Sequence, residues 1–141
     1  MKVVINTCYG GFGLSYLAIK EYLKLIGKKC FFYTQTKYAY KDKKDEFKKT
    51  KDITKLNDLY THVSTEDLGD IITKFPTKGY FSYYDLERDD PNLIKVVEKL
   101  GGKANGRFAK LNIVEIPDGI DYEITDYDGR ESVEEKHRSW C

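Results

Sequence analysis

Residues 3–27 read VVINTCYGGFGLSYLAIKEYLKLIG, and the order of residue types in this stretch decides the class of fold. Val3, Val4 and Ile5 are consecutive β-branched residues without polar alternation, the pattern of a strand covered on both faces. Cys8-Tyr9-Gly10-Gly11-Phe12-Gly13 breaks that run with a glycine-rich turn. Leu14, Leu17, Ala18, Tyr22, Leu25 and Ile26 then recur at helical spacing, with Ser15 placed to cap the helix and Gly27 to end it. A buried strand, a tight turn and an amphipathic helix form the opening of a layered α/β domain.

The remainder extends the pattern. Cys30 to Thr36 is rich in β-formers and reads as a second strand. Residues 37–58 are lysine-rich and weakly patterned, an exposed loop with at most a short helical turn. Leu59 to Ser64 reads as a short strand. Thr65-Glu66-Asp67-Leu68 has the form of a helix start, leading to Ile71, Ile72 and Phe75 before Pro76 stops it. Tyr80 to Leu86 is aromatic and strand-like.

The clearest helix follows. Asp90 caps it, Pro91 takes the first helical position, Leu93, Ile94, Val96, Val97 and Leu100 form its apolar face, and Gly101-Gly102 ends it. Ala109 to Ile116 reads as a strand closed by Pro117-Asp118-Gly119. Ile120, Tyr122 and Ile124 alternate with Asp121, Glu123 and Thr125 as a half-exposed strand, and Asp128-Gly129 turns the chain. Val133, His137 and Trp140 fall at helical spacing, a final strand being the other reading. The expected fold is a single α/β (α+β) domain over residues 1–141. It has a mixed β-sheet with two to four helices packed on it, and the 37–58 loop lies within it.

Twenty-four Lys and Arg balance 23 Asp and Glu, a net charge of +1, so the chain lacks the basic footprint of a protein that binds a nucleic-acid polymer. The charge is uneven: Lys37 to Lys55 holds eight Lys against four acids, and Leu111 to Cys141 holds nine acids against three Lys or Arg. Cys8, Cys30 and Cys141 form no CxxC pair, which suits a reducing compartment. The opening MKVVINTCYG is too short an apolar stretch for a signal peptide, and no window reaches the length of a membrane span. The expectation is a cytoplasmic protein with no membrane partner. Twelve Tyr and seven Phe are many for 141 residues, and they serve equally as half-buried strand filler or as binding surface.

Three groups of residues can carry chemistry. The first is the turn Tyr9-Gly10-Gly11-Phe12-Gly13, whose amides at a helix start attract anions and whose glycines let a phosphate come close. Its spacing matches neither the dinucleotide fingerprint nor the Walker loop, and glycines that merely make a tight turn are the alternative. The second is Phe81, Tyr83 and Tyr84 with Arg88 and Asn92: rings to sandwich a purine, an amide to read a sugar hydroxyl or base edge. Core packing accounts for the same rings. The third is Arg107, in a glycine-flanked loop, with Arg130, His137 and Arg138. A guanidinium grips phosphate through a planar fork, though single surface arginines are common.

Catalytic and metal readings are weaker. A thiol hydrolase would need Cys8 activated by His62 or His137. Asp118, Asp121, Asp126 and Asp128 can hold a hard cation, but their alternation with apolar residues also describes the wet face of a hairpin. No catalytic residue and no metal ligand is therefore assigned. A protein–protein inhibitor acting through the lysine loop or the acidic tail is a further class.

The opening VVINTCYGGFGLS resembles a group of short phage-encoded proteins, as does RDDPNLIKVVEKLGGKANGRFAKLNIVEIPDGIDYEITDYDG followed by EKHRSW. The similarity covers residues 1–33 and 80–140. The group is the phage Thoeris anti-defence sponges of the first described type. The resemblance implies a non-enzymatic protein of the host bacterial cytoplasm that captures a cyclic ADP-ribose isomer, a glycocyclic signalling nucleotide, without cleaving it. It also implies a homodimer or larger homo-oligomer with ligand near the subunit contacts.

Overall fold

A computed structural model of the chain describes residues 1–37, 44–51, 61–76 and 79–136. The class is α+β, with two α-helices and antiparallel sheets among the described residues. The fold divides into two compact units, residues 1–22 with 83–141 and residues 23–82.

In the first unit, β1 (Lys2–Asn6) pairs antiparallel with β7 (Leu111–Glu115), with Val4 opposite Ile113. Val3, Val4 and Ile5 are buried, as their unbroken apolar run requires. Helix α1 (Tyr16–Leu25) begins where Ser15 Oγ accepts the Ala18 N–H at 3.1 Å. It ends at Gly27, where a φ of +76° lets the Lys28 N–H turn back to the Leu23 carbonyl. Helix α2 (Pro91–Leu100) buries Leu93, Val96 and Val97, each contributing roughly 1.5–3 kcal/mol of apolar burial. The Asp90 carboxylate caps it, accepting from the Asn92 N–H at 2.8 Å and the Tyr22 hydroxyl at 2.6 Å. Burial and that bond together push the Tyr22 phenol up to about 12. The hairpin of β8 (Tyr122–Tyr127) and β9 (Arg130–Glu135) turns at Asp128-Gly129.

The second unit is a five-stranded sheet in the order β5-β3-β2-β4-β6. Its strands are β2 (Phe31–Lys37), β3 (Glu46–Thr50), β4 (Thr61–Ser64), β5 (Ile71–Ile72) and β6 (Tyr80–Phe81). Tyr33 lies opposite Lys49 on one side and His62 on the other. On this face His62 packs its ring against Phe47, Phe75 and Tyr80 at centroid distances of 5.3, 5.3 and 6.0 Å.

Several elements differ from the sequence reading. The strand–helix–strand opening does not close a parallel pair, because β1 and β2 join different sheets and all the described ladders are antiparallel. Within the expected loop 37–58, Glu46–Thr50 is a strand with Phe47 buried, while 38–43 and 52–58 lie outside the described residues.

The helix expected after Thr65 does not form. Side chains bind the backbone groups it would have used. Ser64 Oγ accepts the Glu66 N–H, Asp67 accepts that of Gly69, and the Tyr33 hydroxyl bridges the Leu68 N–H and the Gly69 carbonyl. Tyr80 to Leu86 is a strand only over its first two residues and then a 3-10 turn, Tyr83–Asp85. Val133 lies in a strand, not a helix, and His137 and Trp140 lie outside the described residues.

Candidate functional site

Asn6, at the end of β1, is fully buried and every polar position of its amide is filled. Its Oδ1 accepts the N–H of Cys8 at 3.2 Å and of Lys110 at 2.8 Å. Its Nδ2 donates to the carbonyls of Cys8 and Gly129, both at 2.7 Å. A buried amide is costly unless satisfied in this way. The result is that the glycine turn, the segment before β7 and the β8–β9 turn are fastened at one point.

These loops meet backbone to backbone. A Cβ on Gly10 would lie 2.1 Å from the Phe108 carbonyl oxygen, one on Gly106 2.7 Å from the Gly13 carbonyl carbon, and one on Gly129 2.6 Å from the Gly11 nitrogen. Only glycine permits such approach. The glycines of the turn thus have a packing role whatever ligand they meet.

Beneath the turn, Phe12 is buried and the Arg88 guanidinium lies 3.6 Å from its ring centroid. Arg88 donates from Nη1 to Glu131 Oε1 at 2.7 Å and from Nη2 to Oε2 at 2.9 Å, and reaches the Val4 carbonyl at 3.3 Å. Glu131 also accepts the Asn6 N–H at 2.8 Å. Arg88, expected to touch ligand, gives three of its N–H groups to Glu131 and the Val4 carbonyl. Tyr83 packs edge-on to Phe12 at 6.0 Å, and Tyr84 lies 4.5 Å from Tyr83 between centroids.

On the solvent side two arginines lie over exposed rings. Arg130 is 5.7 Å from the Tyr9 ring centroid and Arg107 is 5.2 Å from that of Phe108, with Tyr9 60% and Phe108 62% exposed. Phe108 abuts Gly10 and Gly129 abuts Gly11, so both pairs border the same turn. The structure therefore brings together Tyr9, Gly10, Gly11, Phe12, Gly13, Tyr83, Tyr84, Arg107 and Arg130. It does not bring in all the rest. Asn92 sits in the first turn of α2 with its N–H bound by Asp90, and no contact among the described residues joins it to the turn. Phe81 belongs to β6 of the other unit, and His137 lies outside the described residues.

Cys8 is exposed beside the turn, whereas His62 sits in the other unit among rings, where burial lowers its imidazole below the ordinary value. Asp118 bonds the Met1 ammonium at 2.6 Å, which holds its carboxyl below the usual range. Asp126 accepts the Gly129 N–H, and no cluster of three potential metal ligands occurs among the described residues. An open cleft of about 600 Å³ lies beside α2, bordered by Lys2, Asp89, Pro91, Ile94 and Lys95. It shares no residue with the expected ligand set, and its mix of charges favours no one ligand class. The glycine turn is the better candidate on its chemistry.

Sequence reasoning missed Asn6, Gly106, Phe108, Gly129 and Glu131. Gly106-Arg107-Phe108 did carry a signal, a ring next to an arginine beside a glycine. The partnership of Arg88 with Glu131, far apart in the chain, carried none. No family model, curated protein or solved structure matches the chain. Among the described residues no helix is long and apolar enough to cross a membrane.

Proposed function

We propose that this chain binds a small nucleotide anion of the cyclic ADP-ribose type and holds it intact, acting as an anti-defence sponge in the host bacterial cytoplasm. The observation that carries this reading is the pair of exposed arginine–ring stacks, Arg107 on Phe108 and Arg130 on Tyr9, bordering one glycine turn. A cyclic ADP-ribose isomer offers a purine face, sugar hydroxyls and a pyrophosphate. A ring face stacks on a base with roughly 1–3 kcal/mol, and a guanidinium takes phosphate oxygens through two charge-assisted bonds. In this reading Phe108 receives the purine, Arg107 and Arg130 the pyrophosphate, and Tyr84 flanks the sugar. The similarity of residues 1–33 and 80–140 to phage sponges points to the same ligand class.

The test is direct. Purified protein is incubated with cyclic ADP-ribose isomers and filtered, and the retained protein is heat-denatured and analysed by mass spectrometry. Depletion from the filtrate with recovery of the unmodified nucleotide is the expected result. Failure to deplete any isomer, or release of a cleaved product, overturns the proposal.

A further inference from the structure

Each residue that the Asn6 side chain binds stands beside a member of the candidate site. Cys8, held at both its N–H and its carbonyl, precedes Tyr9. Gly129, whose carbonyl accepts from Nδ2 at 2.7 Å, precedes Arg130. Lys110, whose N–H donates to Oδ1 at 2.8 Å, closely follows Phe108. One fully buried amide thus reaches the backbone that carries both arginine–ring stacks. Asparagine suits that place because its planar end offers two donors and an acceptor oxygen with two lone pairs. An ionised aspartate has no donor, and a serine has one.

The two stacks depend on this amide unequally. The Arg107–Phe108 segment has further ties: the Thr7 N–H donates to the Lys110 carbonyl at 2.8 Å and the Gly106 N–H to the Gly13 carbonyl at 3.0 Å. The tip of the β8–β9 hairpin is held more thinly. Its Gly129 N–H is spent within the hairpin, on Asp126. Glu131, which holds the Asn6 N–H and Arg88, anchors the strand beyond the tip. Among the described residues, two hydrogen bonds tie the tip itself to the Asn6–Tyr9 stretch. One runs from Asn6 Nδ2 to the Gly129 carbonyl at 2.7 Å. The other, from Arg130 to the Tyr9 hydroxyl at 3.5 Å, is at the long limit for a hydrogen bond.

We propose that Asn6 is a positioning residue for the ligand site: its donor to Gly129 sets where Arg130 stands relative to Arg107. The span between two guanidiniums that grip one pyrophosphate is then fixed before ligand arrives. A tip already in place loses no freedom on binding, which is how a preorganised site gains affinity. What the stacks hold rests on the nucleotide reading above; the tie between Asn6 and the stacks does not.

The experiment uses the full chain. Asn6→Asp keeps both acceptor positions and, ionised at pH 8, has no donor for the Cys8 and Gly129 carbonyls. Without ligand, NMR is expected to show loss of the contact between the Tyr9 ring and the Arg130 side-chain protons. The contact between Phe108 and Arg107 is expected to persist. With a cyclic ADP-ribose isomer, calorimetry is expected to show binding weakened about tenfold, as when one charge-assisted partner is lost. Arg130→Ala should cost about tenfold in the wild-type background and less than about twofold in Asn6→Asp, whereas Arg107→Ala costs about tenfold in both. A general softening of the fold would affect the two arginines alike. Tyr22→Phe removes a bond to Asp90, touches none of the three loops, and is expected to change neither stack.

If Asn6→Asp does not fold, Asn6→Ser replaces it. Serine is too short to reach the Gly129 carbonyl, and Lys110 keeps its bond to Thr7, so the same unequal loss is expected. Retention of both ring contacts, equal loss of both, or failure of both variants to fold overturns the proposal. So does an Arg130→Ala cost that is the same in both backgrounds. If no isomer binds the wild type, the nucleotide reading falls, and the ring contacts alone decide the role of Asn6.

Discussion

Arg88 and Glu131 face each other fork to fork, with Nη1–Oε1 at 2.7 Å and Nη2–Oε2 at 2.9 Å, and the guanidinium plane lies over Phe12. The Glu131 side chain is 6% exposed and that of Arg88 19%. The pair therefore sits where water reaches Glu131 hardly at all and Arg88 only in part, under the turn that carries the candidate site.

Removing one member leaves a mostly buried charge uncompensated. Glu131→Ala is expected to destabilise the fold by about 3–5 kcal/mol in urea unfolding. The double variant Arg88→Met with Glu131→Leu is expected to recover most of that loss, because the residual charge is gone. Equal stability of single and double variants would show that the pair is not the controlling interaction.

The glycines divide by what surrounds them. Gly129→Ala combines a φ of +89° with a Cβ 2.6 Å from the Gly11 nitrogen, and is expected to cost about 1–3 kcal/mol and to weaken nucleotide retention. Gly102→Ala meets nothing within 4 Å and needs no positive φ, and thermal unfolding should place it within about 0.5 kcal/mol of wild type.

Ligand binding is expected to track the exposed stacks. Phe108→Ala should lower affinity by about 1–3 kcal/mol in calorimetry, with Arg107→Ala reducing it at least as much and also lowering its salt dependence, because one phosphate contact is gone. Asn92→Ala, away from the turn, should leave affinity unchanged. An Asn92 effect equal to that of Phe108 would relocate the site.

Acid should loosen the five-stranded sheet. Burial among Phe47, Phe75 and Tyr80 lowers the His62 imidazole below its ordinary value, so the fold favours the neutral ring. Lys49, across Tyr33 from His62 on the same face, is paired with Asp67. The stabilisation is full above the unfolded value of about 6.5 and is lost as pH falls below it toward the lower folded value. His62→Phe is expected to flatten the pH dependence of the melting temperature below about 6.5, and an unchanged slope would exclude His62 as its source.

The two helices were legible because their signals are local. Ser15, Asp90, Pro91, Gly27 and Gly101 act within a turn of their own positions, and the apolar spacing of Leu93, Val96 and Val97 needs only helix geometry. The helix expected after Thr65 failed because Tyr33, more than thirty residues earlier, supplies the hydroxyl that binds Leu68 and Gly69. A window of neighbouring residues holds no trace of that contact.

The candidate site shows the same division. Glycine content, arginines and rings near Tyr9–Gly13, Tyr83 and Arg107 are properties of composition, and the chain alone marks them as chemically capable. Which arginines remain open to solvent is a property of the folded molecule. Arg88 is closed off by Glu131 on a distant hairpin, whereas Arg107 and Arg130 lie over exposed rings. Local propensity and side-chain chemistry are carried by short stretches of chain. Pairing of strands, burial of charge and meeting of loops depend on contacts between residues well separated in the chain, 43 positions for Arg88 and Glu131 and 123 for Asn6 and Gly129, and only tertiary structure decides those.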